Sequence, residues 1–310
     1  MSCRAFGTAF FIGLLLAAPV GTTAQAQQGA PEIGKAERIV SIGGAVTEIL
    51  YALGLGDRIV AVDQTSTYPA EALEKPQVGY MRALSAEGVL SVTPDLVIAI
   101  EGSGPPDVIE ILEHASIPFI LVPEAHDGAG AVEKIRLIAD LLGETEKGDA
   151  VIKALAADLH AQEAIRASIP TRRKAIFVLG MASDAPLVGG EGTAADAIFA
   201  LSGVDNALSG FSGYKPANDE ATMAAQPEAV ILMAERAHEL TPEKVFAAPV
   251  FAGTPAARDN RLIALSGSYL LNFGPRTAHA ARDLTAAVYP ELAIPELPAR
   301  PWATSVPAPR

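Results

Sequence analysis

The sequence predicts an α/β protein of two similar lobes, each with a central, mostly parallel sheet, joined by a long rigid helix and enclosing a ligand cleft. Three observations support this fold class. Short apolar runs alternate with stretches of helical periodicity, two parts of the chain resemble each other, and a continuous helical pattern separates them at residues 130–169.

The first lobe begins with a short apolar run, and three more follow it along the chain. We predict strands at residues 38–42, 59–63, 96–100 and 119–123. Continuous apolar runs of this length are typical of parallel strands that are covered on both faces. Stretches with helical spacing separate them, at residues 45–53, 85–90 and 106–115. This alternation indicates a parallel sheet with helices on its faces.

The connector at residues 130–169 has apolar side chains at helical spacing, and Gly143 and Gly148 indicate a break between two helices. The second helix, from about residue 144 to 168, is long enough to bridge two lobes. A helical bridge resists large hinge motions, so we expect only a small closure on ligand binding.

The second lobe repeats the pattern of the first. Its predicted strands lie at residues 174–179, 229–234 and 262–265. Its predicted helices lie at residues 194–201, 220–225, 242–246 and 277–288. Residues 87–98 align with 220–231 so that Glu and Pro coincide, and residues 44–54 align with 192–202. The alternative is that any two α/β units share such spacing. A duplication predicts two facing lobes, with a ligand cleft at the carboxyl ends of their strands.

The start of the chain resembles a secretory signal peptide. Arg4 precedes an apolar run at residues 9–20, and Ala24-Gln25-Ala26 forms a cleavage pattern. We therefore expect cleavage after about Ala26 and export, most simply to a bacterial periplasm. The expected organisation is a signal peptide at 1–26, a first lobe at 27–128, a connector at 129–170, a second lobe at 171–298 and a Pro-rich tail at 299–310.

Charge, cysteine content and motifs exclude several classes of function. The formal net charge is −13, which disfavours nucleic acid as a partner. The single cysteine, Cys3, lies within the expected signal peptide, so the exported chain would have no disulfide, thiolate nucleophile or cysteine metal ligand. The sequence contains no G-x-S-x-G, H-E-x-x-H or P-loop lysine motif. We therefore expect a binding protein and not an enzyme.

The most informative short motif places the phenol of Tyr80 two residues before Arg82, just ahead of a predicted helix. A tyrosine oxygen is a good ligand for a hard metal ion when a neighbouring cation stabilises the phenolate. A simple surface contact is the alternative. On residue chemistry alone, Tyr80 is thus a candidate iron ligand.

The segments at residues 78–88, 192–197 and 210–216 read VGYMRALSAEG, GTAADA and GFSGYKP. With them, nearly all of the chain after the signal peptide resembles the periplasmic haem-binding proteins of bacterial ABC importers. These belong to a helical-backbone class that also includes cobalamin and iron-siderophore binders. The resemblance implies that Tyr80 is the axial ligand of haem iron, with Arg82 beside it. It also implies haem as the transported ligand, an inner-membrane ABC permease dimer as partner, and an outer-membrane haem receptor upstream. A corrinoid or ferric siderophore is the alternative ligand.

Four further residues are candidate haem contacts. Met181 stands where some relatives of this family carry a histidine; we expect it to pack on the porphyrin face and not to ligate iron, with burial in the lobe core as the alternative. Tyr214 and Lys215 are the duplicated counterparts of Tyr80 and Met81, and could supply a wall and a propionate contact. Arg276 could meet a propionate or be a surface charge. His126, in a loop after a strand, could also approach the cleft.

Glu87 and Glu220 occupy matching places in the repeat. The resemblance implies that these two residues dock against arginines of the two permease subunits, where charge fixes the register of the complex. The alternative is that both glutamates only stabilise the N-terminus of a helix.

Overall fold

A computed structural model describes residues 33–182, 185–236 and 240–303, except for the side chains of residues 181 and 182. Its strands are β1 Ile39–Ile42, β2 Ile59–Val62, β3 Gly79–Tyr80, β4 Ala83–Leu84, β5 Leu96–Ile100, β6 Phe119–Val122, β7 Lys174–Ala182, β8 Ala185–Gly189, β9 Asp205–Asn206, β10 Tyr214–Pro216, β11 Ala229–Met233 and β12 Leu262–Leu265. Its α-helices are α1 Gly44–Ala52, α2 Ala86–Ser91, α3 Pro106–Glu113, α4 Gly128–Leu141, α5 Thr145–Ala167, α6 Ala194–Ser202, α7 Asp219–Ala225, α8 Pro242–Ala247, α9 Pro255–Arg258, α10 Gly267–Leu271 and α11 Thr277–Val288.

The first lobe is built on a parallel sheet with the strand order β2-β1-β5-β6. All four of its predicted strands are present, and their ends differ from the prediction by one residue at most. Every residue of β1 and β5 is buried, as expected of central strands that are covered on both faces. The continuous apolar runs therefore identified the strands correctly.

The second lobe contains a mixed sheet with the order β10-β8-β7-β11-β12, and β9 adds to the end of β7. Strands β7, β11 and β12 are parallel, whereas β8 and β10 are antiparallel additions. The sequence predicted only the three parallel strands. Pro186 and Pro216 lie within β8 and β10, and a proline in a short segment argues against a strand in the sequence. Pairing of β8 with β7, and of β10 with β8, decides their conformation.

Helix α5 is the bridging element. Its 23 residues rise about 35 Å along the axis, and it packs against α4, α6 and α11. The predicted break lies at Gly143, whose φ of +72° ends α4 in the left-handed region. Gly148 lies within α5 and marks no break. A Cβ there would come within 2.4 Å of the Ala139 side chain, so this glycine allows α4 and α5 to pack closely.

Helix α4 belongs to the first lobe more than to a bridge, because it packs on α1 and β6. The predicted connector at 129–170 therefore divides into a lobe helix and the true bridge, α5. The difference arises because periodicity shows that a helix forms but not which surface it covers.

The chain end returns across the molecule as a strap, defined here as residues 290–303. Its Ile294, Leu297 and Trp302 pack against the core of the first lobe. Arg300 donates two hydrogen bonds, of 2.9 and 2.7 Å, to the buried carboxylate of Asp158 in α5. Residues 299–303 are thus bound to the bridge and the first lobe, and the predicted boundary at 298 divides a continuous packed segment. Residues 304–310 lie outside the described part.

The two lobes meet at a buried ion pair between Glu48 of α1 and Arg276, which precedes α11. The guanidinium donates hydrogen bonds of 2.8 and 2.6 Å to the two carboxylate oxygens, and the side chains are 3% and 2% exposed. The Tyr68 ring lies 3.6 Å from the guanidinium carbon, at a distance typical of a cation–π contact. Asn272 donates a further hydrogen bond of 2.9 Å to Glu48.

This geometry corrects one of the two roles that we expected for Arg276. Its guanidinium is not a solvated surface charge, because it is buried between the lobes and neutralises Glu48. A sequence motif at a helix start could not reveal this partner, which lies 228 positions away. A contact with a haem propionate stays a prediction.

Other polar contacts extend the junction between the lobes. Thr67 and Ser268 share a hydrogen bond of 2.8 Å between their hydroxyls. Lys134, which is paired with Glu124 in the first lobe, donates to the backbone oxygen of Asn272 at 3.4 Å. A Cβ on Gly44 would lie 2.8 Å from the backbone oxygen of Thr65 and would also displace the Asn272 amide, so the tight packing of this turn within the first lobe favours a glycine there.

The substitution Arg276→Met should destabilise the protein by about 3–5 kcal/mol, because it leaves the Glu48 carboxylate buried without its counter-charge. Urea unfolding at neutral pH measures the loss. The double variant Glu48→Gln, Arg276→Met should recover part of the stability, since it buries no charge. Arg136→Met, which removes an exposed guanidinium from α4, is the control and should cost less than about 1 kcal/mol. A stability of Arg276→Met equal to wild type would show that the pair does not hold the lobes together.

Candidate functional site

Tyr80 and Arg82 lie at the tip of a small antiparallel hairpin formed by β3 and β4, in which Tyr80 pairs with Ala83. Met81, between them, is 8% exposed and anchors the tip in the core of the first lobe. The backbone of Gly104, in the loop after β5, donates to the Met81 carbonyl at 2.9 Å and accepts from the Leu84 N–H at 2.9 Å. The hairpin is therefore fixed at the carboxyl end of a central strand.

The two predicted ligand residues contact each other directly. Arg82 donates a hydrogen bond of 2.9 Å from Nη1 to the Tyr80 hydroxyl oxygen. The Tyr80 side chain is 40% exposed, which is high for a large aromatic residue. A guanidinium donor stabilises negative charge on a phenol oxygen, and an exposed phenolate can bind a hard metal ion. The structure thus places a guanidinium beside an exposed phenol oxygen, as the motif suggested.

Tyr214 lies on β10 of the second lobe and is half-buried. Burial raises the pKa of its phenol, whereas hydrogen bonds with the Ala195 backbone and the Thr193 side chain, together with the positive charge of Arg82, oppose the shift. Its place opposite Tyr80 in the cleft stays a prediction. The neighbouring Lys215 is exposed, with its Nζ 5.5 Å from the centre of the Phe211 ring.

His126 has a more central place than the sequence indicated. Its ring lies 5.5 Å from that of Phe273, which belongs to the second lobe. Burial lowers its pKa, Glu124 opposes this effect, and the charges of Lys134 and Arg82 add to it. Nδ1 is 3.7 Å from the Glu124 carboxylate, too far for a hydrogen bond. His126 and Phe273 thus form a contact between the two lobes.

Phe273 was not a candidate in the sequence. Its side chain is 2% exposed, and its backbone adopts a φ of +49°, which is rare for an aromatic residue. The FGPR segment at residues 273–276 gave a weak signal, because the glycine and proline indicate a turn but no contact. Tertiary packing places the ring of Phe273 in the buried core of the second lobe, in contact with His126 of the first lobe.

Met181 lies near the end of β7, where its backbone is paired with Pro186. Its side chain lies outside the described part of the structure, so its expected packing against a ligand stays a prediction. Among the residues that are described, no group of three or more His, Cys, Asp and Glu side chains could hold a metal ion. No helix in residues 33–182, 185–236 and 240–303 is long and apolar enough to cross a membrane.

Glu87 and Glu220 occupy equivalent positions in the two lobes. Each lies in the first turn of a helix, α2 or α7, and each is exposed. Both helices have a side-chain N-cap, in which Ser85 accepts from the Gly88 N–H and Asn218 from the Ala221 N–H. Two exposed carboxylates thus stand on matching surfaces, where they also stabilise the helix dipoles.

Comparison with known proteins identifies relatives of this architecture. A family model described as "Periplasmic binding protein" matches residues 39–269. The solved structure of the periplasmic heme-binding protein BhuT, in complex with two hemes, is 37% identical, with a TM-score of 0.78 over 83% of this chain and 99% of BhuT. The heme-binding protein RhuT from Roseiflexus sp. RS-1, in apo form, is 36% identical, with a TM-score of 0.79 over 82% and 98%.

Another relative is named after a different ligand. The vitamin B12-binding protein of Vibrio campbellii is 28% identical over 255 residues, which covers 81% of this chain and 89% of that protein. The two-lobed α/β fold predicted from the sequence is confirmed by the sheets described above and by these relatives.

The substitution His126→Gln should improve stability selectively on the acid side. Because burial lowers the folded-state pKa of His126 below 6.5, the unfolded chain takes up a proton first, and wild-type stability falls as the pH drops from 6.5 through the folded pKa. The variant lacks this loss, which amounts to about 1.4 kcal/mol per unit between the two pKa values. Urea unfolding between pH 5 and pH 8 measures the difference, and NMR titration reports the pKa directly.

The control is His160→Gln, which removes an exposed imidazole from α5. The difference in stability between wild type and His126→Gln should change with pH in this range. A difference that stays constant would contradict the lowered pKa of the half-buried His126.

Proposed function

Because the chain belongs to the periplasmic binding protein family, we propose that it captures haem in the cleft between its lobes and delivers it to an inner-membrane ABC permease dimer. The observation that carries this proposal is the hydrogen bond of 2.9 Å from Arg82 to the exposed Tyr80 oxygen. It places a stabilised phenol at the tip of a fixed hairpin, where a flat macrocycle can approach it.

The chemistry of the pair suits ferric haem. Fe(III) is a hard ion and a phenolate is a hard ligand, and tyrosine is one of the side chains that hold haem iron in proteins. The ordinary pKa of a phenol is near 10, so ligation at neutral pH requires that its negative charge be stabilised. Arg82 and the ferric ion would together supply that stabilisation.

The haem periphery would meet residues of both lobes. Tyr214 would form a wall opposite Tyr80, and Lys215 and Arg82 offer positive charge for the two propionates. His126 and Phe273 would border the same space, since the charge of Arg82 acts on His126 and the two rings are in contact. Met181 would pack on the porphyrin face.

Similarity to BhuT and RhuT supports haem as the ligand, because both are named as heme-binding proteins and both exceed 35% identity over four fifths of this chain. The second candidate is a corrinoid, which the similarity to a vitamin B12-binding protein favours. The Tyr80–Arg82 pair favours haem over a corrinoid. A phenolate beside a guanidinium is suited to bind a ferric ion that has no other protein ligand.

The remaining parts of the proposal follow from the same family assignment. Residues 1–26 would direct export to the periplasm and be removed after about Ala26, and an outer-membrane receptor system would supply the haem. The chain itself would catalyse no reaction. Glu87 and Glu220 would dock on the two permease subunits, and α5, bound to both lobes, would keep the spacing between these carboxylates nearly constant.

Tyr80→Phe should weaken haem binding by at least about tenfold, because a single ligand bond is lost while the ring is kept. Absorption titration of the purified haem-free protein with hemin measures both the affinity and the spectrum of the ligated iron. Tyr51→Phe is the matched control. The Tyr51 hydroxyl has no hydrogen-bond partner among the described residues, so its removal should change neither quantity.

A Tyr80→Phe variant with the wild-type spectrum and affinity would exclude Tyr80 as the iron ligand. A parallel titration with cobalamin separates the two candidate ligands. Tight cobalamin binding that is insensitive to Tyr80→Phe, with weak hemin binding, would replace haem by a corrinoid.

Glu87→Lys and Glu220→Lys should each lower haem uptake by about tenfold or more, with hemin binding to the purified protein unchanged, because like charges would then oppose each other across the permease contact. Uptake of haem iron into cells that carry the chain's own permease is the measurement. Glu113→Lys, on the exposed face of α3, is the control for altered net charge. Normal uptake by both docking variants would refute the assigned surface.

A further inference from the structure

A second cavity lies in the first lobe, and it shares no lining residue with the Tyr80–Arg82 hairpin. Its volume is about 390 Å³. The end of α1, the loop before β2, the segment that follows β2 and the strap enclose it, and its aromatic walls are Tyr51, Tyr68 and Trp302. The strap therefore completes a pocket that neither lobe sheet forms by itself.

The charge of this cavity is negative. Asp57, Glu71 and Glu48 line it, and none of the described side chains that line it is basic. Glu48 is neutralised by Arg276, whereas Asp57 and Glu71 are exposed carboxylates at the rim. Burial raises the pKa of Tyr51, and the negative charges of Glu71, Glu74 and Asp57 raise it further. The negative charge of these carboxylates therefore reaches Tyr51, one of the aromatic residues that line the cavity.

The aromatic walls add a second and independent preference. One face of Tyr68 is occupied by Arg276, whose guanidinium carbon lies 3.6 Å from the ring centre, so Tyr51, Trp302 and the other face of Tyr68 are left for a ligand. Trp302 is the best type of side chain for a cation–π contact. Rings and carboxylates together favour an organic cation, which loses little hydration when it meets an aromatic face, over a strongly hydrated metal ion.

We propose that this cavity is a binding site for a small organic cation of the alkyl- or quaternary-ammonium class. The ammonium group would lie against Trp302 and the tyrosine walls, with Asp57 and Glu71 as counter-charges at the rim. This proposal concerns a site that is separate from the cleft and does not depend on the identity of the ligand that the cleft binds.

Trp302 makes the proposal directly testable, because it is the single tryptophan of the chain. Intrinsic fluorescence of the full-length, haem-free protein then reports on the cavity wall. Titration with choline should give a saturable change in emission. The uncharged isostere 3,3-dimethyl-1-butanol, in which carbon replaces the ammonium nitrogen, should bind at least about tenfold more weakly. Sodium chloride at matched ionic strength corrects for salt effects.

The double variant Asp57→Asn, Glu71→Gln should bind choline about tenfold more weakly, because it removes the rim charges and keeps the rings. The matched control Glu110→Gln, Glu113→Gln removes two carboxylates from the exposed face of α3 and should bind choline as wild type does. Both sets of substitutions lie on the surface, and thermal unfolding followed by circular dichroism verifies that they fold. Choline at saturation should also raise the melting temperature of wild type.

Three results would each overturn the proposal. They are an unsaturable response to choline, equal affinity for choline and its uncharged isostere, and an affinity of the Asp57→Asn, Glu71→Gln variant equal to that of the α3 control. The hemin titration of Tyr80→Phe is a different measurement on a different residue, so failure here leaves the assignment of the cleft unaffected.

Discussion

The carboxylate of Glu48 lies where water hardly reaches it, and the arrangement of the two lobes depends on its neutralisation. Its counter-charge, Arg276, comes from the opposite lobe, so the carboxylate can be buried and neutralised together only while the lobes are in contact. Asn272 and the ring of Tyr68 complete the surroundings of the pair. The junction therefore behaves as one unit, and it fixes the segment that immediately precedes Arg276.

That segment carries Phe273 to the ring of His126, so the same junction also includes an aromatic contact between the lobes. The opposite part of the site depends on a different anchor. Met81 and the backbone of Gly104 hold the hairpin tip, which leaves Tyr80 and Arg82 little freedom except in their side chains. A ligand would thus enter a cleft whose walls are set before binding, which is consistent with a bridge formed by one long helix.

Apolar runs and helical periodicity were informative because they show which residues of one strand or helix are buried. This pattern lies within a single segment of the sequence. Strands β1, β5 and β11 and helices α5 and α11 were predicted to within two residues on these grounds. The antiparallel strands β8 and β10 contain prolines and were missed, since β8 forms only against β7 and β10 only against β8. The short helix α10 was missed as well, and it packs on α6 and α11. The strap was missed for the same reason, because Arg300 and Trp302 gain their partners only at long range.

The sequence by itself determined the two-lobed α/β architecture, the bridging helix and the Tyr80–Arg82 pair, because spacing along one chain segment fixes each of them. The tertiary structure decided which charges are buried and which are exposed. It paired Arg276 with Glu48, brought the rings of His126 and Phe273 together, and enclosed an acidic aromatic cavity with the strap. These contacts join residues far apart in the chain, and their free energy depends on desolvation, which only the folded arrangement defines.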